Sequence, residues 1–210
     1  MAQDIVRPQG APAATPPEHY IFDSVISGEE LLWLYHSLLN TDGWTLSRTS
    51  NSPALPNIPF MSFPGLHIED RGQSTNQLFS GYFRAIVFRI RDMAKKQYNV
   101  HLPPNIFRIH VGAKSSTSRT NFHVDTRDAG VWTILGFLNP IWNAADGGEF
   151  FLKDHKITYK SGRFVVFRSN TEHDGGYVVN ETLNYWRVSV NIMLDENRTW
   201  PYASKSTEGR

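Results

Sequence analysis

Arg187-Val188-Ser189-Val190-Asn191-Ile192-Met193-Leu194 reads as a strand with two unlike faces. Successive side chains of an extended segment point to opposite sides. Val188, Val190, Ile192 and Leu194 therefore share one face, and Arg187, Ser189 and Asn191 share the other. The aliphatic face demands a core. The other face puts a guanidinium either in solvent, as on an edge strand, or in a polar cavity, as inside a barrel.

Working back from that strand, the chain from Asn105 onward breaks into short β-type runs. They are Ile106–Val111, Val131–Leu138, Glu149–Leu152, Lys156–Tyr159, Phe164–Arg168, Tyr177–Val179 and Tyr185–Leu194. Asn139-Pro140, Asp146-Gly147-Gly148, Ser161-Gly162 and Asp174-Gly175-Gly176 punctuate them. Many short strands with regular turns point to a β-sandwich or barrel. The first half reads differently. Tyr20–Ile26 reads as a short strand or entry segment, and Ser27-Gly28-Glu29-Glu30 has the form of a capping box opening a helix that stops at Asn40–Gly43. A second helix is expected over about Gln77–Gln97, and the Pro/Ser/Asn-rich stretch Thr49–Pro64 reads as a loop. The fold class expected is mainly β with flanking α: a jelly-roll, double-stranded β-helix core over about 105–195, with N-terminal helices packed on it.

Composition sets the outer bounds. The chain has 210 residues, 40% hydrophobic and 20% charged, which suits one soluble domain of ordinary kind. A formal net charge of +1 argues against a strongly basic nucleic-acid binder. The basic side of the second helix, Arg84 to Lys96, is more ordinarily a solvated face. With no cysteine there is no disulfide framework, thiolate site or thiol nucleophile. Residues 1–17 read as a disordered arm without a secretory h-region, 18–200 as a single domain and 201–210 as a tail. No run approaches a membrane span, so the expectation is a soluble cytoplasmic protein.

The candidate chemistry lies in the β half. His123 and Asp125 are two apart and can aim at one point, with Val124 packing behind them. His173 could join them only if the sheet curls round, as a jelly roll does. Two histidines and one carboxylate can hold one face of a metal and leave the other open, the pattern of non-haem Fe(II) oxygenases. Any one of these histidines alone would be read as an ordinary polar residue. Arg187 and Ser189 are placed to grip the distal carboxylate of a dicarboxylate co-substrate.

The stretch from Asn105 to Leu194 resembles the 2-oxoglutarate-dependent Fe(II) dioxygenases, and among them the prolyl-4-hydroxylase-like branch. The resemblance rests on Phe122-His123-Val124-Asp125, Thr133-Ile134-Leu135-Gly136-Phe137-Leu138-Asn139 and Gly147-Gly148-Glu149-Phe150, in the family's order. It continues through Ser161-Gly162-Arg163-Phe164-Val165-Val166-Phe167, His173-Asp174-Gly175-Gly176 and Arg187-Val188-Ser189. It implies Fe(II) on His123, Asp125 and His173, with 2-oxoglutarate anchored by Arg187 and Ser189, O2 as oxidant and ascorbate as a stimulant. Two departures stand out. The basic residue is Arg187, fourteen residues beyond His173, where the branch often has a nearer lysine. His110 stands where the branch often carries a tyrosine, and so is a second candidate contact to 2-oxoglutarate. The remaining histidines, His19, His36, His67, His101 and His155, match no motif position.

Asp125 favours hydroxylation over halogenation, because related halogenases carry a small residue there. Met193 stands where the nucleic-acid-dealkylating branch carries a second arginine, so no nucleic-acid partner is expected. Lys114–Thr120 could form a lid that binds a polar substrate, or a plain solvated loop. Trp132 and Trp142 could wall the pocket or simply pack, and Thr171, Glu172 and Asp174 could serve the site from beside His173. Three readings remain open: a hydroxylase of a polar small molecule, a prolyl-type protein hydroxylase, and a catalytically silent metal-binding β-barrel module.

Overall fold

In the computed structural model of the chain, the described residues are 17–40, 44–48, 59–62, 77–116, 122–179 and 186–198. The expected arm and tail, apart from Pro17, and most of the expected lid lie outside them. Helix α1, Gly28–Leu39, begins as its sequence dictates. The Ser27 hydroxyl accepts from the Glu30 amide at 3.1 Å, and the Glu30 carboxylate accepts from the Ser27 amide at 2.8 Å. Helix α2, Gln77–Tyr98, presents Phe83, Ile86, Val87, Ile90 and Ala94 inward. Arg89 leaves its outer side to pair with Glu30 at 2.8 Å, tying α2 to the start of α1.

The strands are β1 (His19–Phe22), β2 (Thr45–Arg48), β3 (Pro59–Ser62), β4 (Asn105–Lys114) and β5 (Trp132–Phe137). They continue with β6 (Phe150–Leu152), β7 (His155–Ile157), β8 (Phe164–Arg168), β9 (His173–Asp174) and β10 (Arg187–Asp195). A seven-stranded sheet runs in the order β1-β8-β5-β10-β4-β3-β2, and a three-stranded sheet in the order β7-β6-β9. Every pairing among the described strands is antiparallel. The last described strand, β10, sits at the centre of the large sheet, so its two-faced pattern organises both layers.

One face of the large sheet buries Val188, Val190, Ile192, Leu194, Ile109, Val111, Ile134 and Val166 in one cluster with Leu34, Leu38, Phe83 and Ile90 of the helices. The opposite face contributes Leu135, Phe137, Val165 and Phe167 to a second cluster, closed by Phe150, Leu152 and Ile157 of the small sheet. Arg187, Ser189 and Asn191 share that second face, inside the roll.

Three sequence expectations need correction. Thr49–Pro64 is not loop throughout, since β3 pairs with both β2 and β4. Tyr177–Val179 forms no strand and only a single bridge, Gly147 with Val178. The first strand ends at Phe22 rather than running to Ile26.

Candidate metal centre

His123, Asp125 and His173 are brought together, their donor atoms all within 4.8 Å of one another. Backbone pairing does this. His123 and His173 exchange amide-to-carbonyl hydrogen bonds of 3.0 and 2.9 Å, forming an isolated antiparallel bridge that puts both imidazoles on one side. The Asp125 amide then donates to the Ser169 carbonyl at 3.0 Å, fixing the third member. Val124 does not pack behind the trio as expected; it and Phe122 are exposed.

Each donor is oriented from behind. Nδ1 of His173 lies 2.9 Å from the Thr171 carbonyl, which can only accept, so Nδ1 carries the proton and Nε2 is aimed into the cluster. The His173 ring also leans on Phe167 and Phe150, with centroids 4.9 and 5.5 Å away. Oδ2 of Asp125 accepts from Oγ1 of Thr133 at 2.7 Å and from Nδ2 of Asn191 at 3.2 Å. Thr133 is itself linked to the Ser169 hydroxyl at 2.7 Å. Thr133, Ser169 and Asn191 were not singled out as site residues from the sequence. Asn191 had a signal, its place on the face of Arg187 and Ser189; Thr133 is an inward position of β5 and could have been found by the same alternation.

Burial pushes Asp125 up, but His173, Thr133 and Asn191 outweigh it and hold the carboxyl below its ordinary pKa. Burial pulls His173 down, yet Asp125, with Nε2 at 3.7 Å from Oδ2, raises it overall. Buried His173, partly buried Asp125 and exposed His123 leave the trio open on one side. Such a group can hold one divalent cation and leave coordination positions free.

Along the same face, Arg187 is 1% exposed and is the largest fully buried side chain of the described residues. Its Nε donates to the Gly148 carbonyl at 3.0 Å, and its guanidinium carbon lies 5.5 and 5.4 Å from the ring centres of Phe137 and Tyr159. Nη2 is buried without a hydrogen-bond partner. A guanidinium committed at one edge, with an unpaired buried N–H group at another, is a ready fork for a carboxylate. Asn139, also buried, holds the strand beneath it: Oδ1 accepts from the Val188 amide at 2.7 Å and from the Tyr159 hydroxyl at 2.8 Å. In the sequence Asn139 stands as a turn residue and as the end of one resemblance motif, with no role of its own to read.

The register separates the other candidates. Asn191 pairs with His110, Ser189 with Gly112 and Arg187 with Lys114. His110 and partly buried Ser189 thus lie on the inner face, His110 at the Asp125 end and Ser189 between the two ends. Lys114 belongs to β4 rather than to a loop. Trp132 lies in the outer cluster, covered by Arg168 with its guanidinium carbon 3.9 Å from the ring centre, so it does not wall the site. Trp142 packs on Tyr159 near Arg187, its indole donating to the Gly147 carbonyl at 2.9 Å. No described helix is long and apolar enough to cross a membrane.

No protein-family model matches this sequence, and no curated protein does. Solved structures match over most of its length. An oxidoreductase of the 2OG-Fe(II) oxygenase family from Burkholderia pseudomallei superposes with a TM-score of 0.63 at 14% identity, covering 84% of this chain and 85% of its own. A prolyl hydroxylase from Trichoplax adhaerens, in complex with a hypoxia-inducible-factor degradation-domain peptide, gives 0.55 at 15% identity over 85% and 84%. HygX from Streptomyces hygroscopicus, with nickel and 2-oxoglutarate bound, gives 0.56 at 10% identity over 88% and 85%. At these identities the likeness is one of fold: the chain has the double-stranded β-helix of the 2OG-Fe(II) oxygenases, prolyl hydroxylases among them.

Proposed function

We propose that this chain is a non-haem Fe(II) and 2-oxoglutarate-dependent dioxygenase that hydroxylates a C–H bond of a polar small molecule such as an amino acid, sugar or natural-product scaffold. The observation that carries this reading is one barrel face holding both an open two-histidine, one-carboxylate cluster and a buried arginine with an unpaired N–H group. His123, Asp125 and His173 would be the metal ligands. Arg187 would grip the distal carboxylate, Ser189 would add a hydrogen bond, and His110 would contact the co-substrate nearer the metal. The chemistry supplied by a bound ferrous ion is reduction of O2 coupled to decarboxylation of 2-oxoglutarate to succinate and CO2 and to hydroxylation of the substrate.

The chain's own residues bind, orient and exclude water. Thr171 fixes the His173 tautomer, Thr133 and Asn191 hold Asp125 ionised, and Phe137, Phe150 and Phe167 keep the interior dry. A prolyl-type protein hydroxylase is the second reading, favoured by fold neighbours that include a peptide-bound prolyl hydroxylase. Succinate release, measured with Fe(II) and 2-oxoglutarate against free amino acids, sugars and proline-containing peptides, decides between them. Turnover only with peptides would overturn the small-molecule reading. No Fe(II)-dependent succinate with any substrate would leave the silent binding module.

A further inference from the structure

Resting on that reading of the site, we propose that Lys114 is a second cation of the 2-oxoglutarate anchor, sharing the distal carboxylate with Arg187. The β4–β10 register sets Lys114 directly opposite Arg187, and residues directly opposite in an antiparallel pair project to the same side. Both side chains therefore enter the roll beyond Ser189 and Gly112, at the end away from His110 and Asn191.

Two glycines clear the space for the two cationic side chains. A Cβ at position 148 would stand 2.9 Å from Cδ and 3.0 Å from Nε of Arg187. A Cβ at position 175 would stand 2.5 Å from Nζ of Lys114 and 3.8 Å from Nη1 of Arg187. The ammonium and the guanidinium thus flank one small volume beside Gly175. Two like charges brought together out of water repel each other, and Asp174, whose charge acts on both, offsets part of that repulsion. A carboxylate between them turns that repulsion into two charge-assisted contacts. Burial and the neighbouring Arg187 push Lys114 down to about 7, against the opposing pull of Asp174, as expected for a cation held in this company. Among the described groups acting on Arg187, Asp174 and Glu149 are the carboxylates, and Glu149 is engaged by Lys156 at 2.7 Å.

The anchor can be tested on the nickel-loaded protein by calorimetric titration with 2-oxoglutarate and with 2-oxopentanoate, which keeps the keto-acid end and the carbon count but lacks the distal carboxylate. Lys114→Gln should weaken 2-oxoglutarate about tenfold or more, leave 2-oxopentanoate and nickel affinity unchanged, and be largely rescued by Lys114→Arg. Equal losses for both keto-acids would make Lys114 a structural residue and overturn the proposal. Unchanged 2-oxoglutarate affinity in Lys114→Gln, beside a large loss in Arg187→Gln, would overturn it while leaving Arg187 as the anchor. A wild-type protein that binds nickel but no 2-oxoglutarate would bring down the reading of the site itself.

Discussion

Truncating Arg187 to alanine would strand a buried co-substrate carboxylate without its main partner, a loss of about 2–5 kcal/mol. That is roughly thirty- to several-thousand-fold in 2-oxoglutarate affinity. Metal affinity should stay at the wild-type level, because Thr133 and Asn191 hold Asp125 and Thr171 holds His173, without Arg187; a metal titration beside a co-substrate titration checks both halves. Thr133→Val acts at the other end. It removes the 2.7 Å hydrogen bond to Asp125 with little change of shape, and should weaken metal binding about ten- to a hundredfold with the fold intact. The trio also fixes the pH response. His173 must be neutral to ligate, and its pKa lies above the ordinary 6.5, so the proton competes with the metal at a higher pH than for a free imidazole. In the metal-free protein the imidazolium adds stability that is fully present below 6.5 and lost as pH rises through the higher folded value. Asp125 is depressed and stays ionised across this range. Metal affinity should therefore fall as pH drops from above 6.5, and a flat profile between pH 8 and 6 would contradict the assignment.

Elements recorded in local pattern were legible; those made by distant pairing were not. Ser27 and Glu30 announced α1 because both halves of its cap lie within four residues. The alternation of β10 put Arg187, Ser189 and Asn191 on one face, but left an edge strand and a barrel interior both open; its central place comes from pairing with β4 and β5. A like alternation runs through β4, where His110, Gly112 and Lys114 keep period two, so the run Ile106–Val111 extends to Lys114 as strand rather than loop. By contrast, β3 contains proline and borrows its order from β4, and β9 is two residues paired to β6. Neither has a periodicity of its own to read. Asn139 belongs with these, since its amide between β5 and β10 satisfies the Val188 amide and the Trp186 carbonyl, at 2.7 Å each. Asn139→Ala leaves both buried groups unpaired and should cost about 2–4 kcal/mol, read as a lower midpoint in denaturant. Loss of 2-oxoglutarate affinity should accompany it, because Arg187 lies between the two residues that Asn139 holds.

At the scale of the molecule, the proposed ligands come from different layers. His173 lies in the small sheet, Arg187 at the centre of the large one, and His123 and Asp125 on the segment between β4 and β5. Metal and co-substrate bound together would bridge both sheets from inside the roll, where the apolar filling of Phe137, Phe150 and Phe167 already joins them. Anything that binds the folded state and not the unfolded one adds RT ln(1 + [L]/Kd) to its stability, about 2.7 kcal/mol at a hundredfold excess over Kd. For a chain of 210 residues this is roughly 5–10 °C in Tm. Nickel alone should raise Tm in wild type and in Arg187→Ala alike, whereas 2-oxoglutarate should add its own increment only on top of the metal and only where Arg187 is present. His173→Ala should lose both increments. If 2-oxoglutarate raised Tm equally in the metal-free protein and in Arg187→Ala, it would be binding outside the roll, and the single continuous site running from His123 to Arg187 would have to be abandoned.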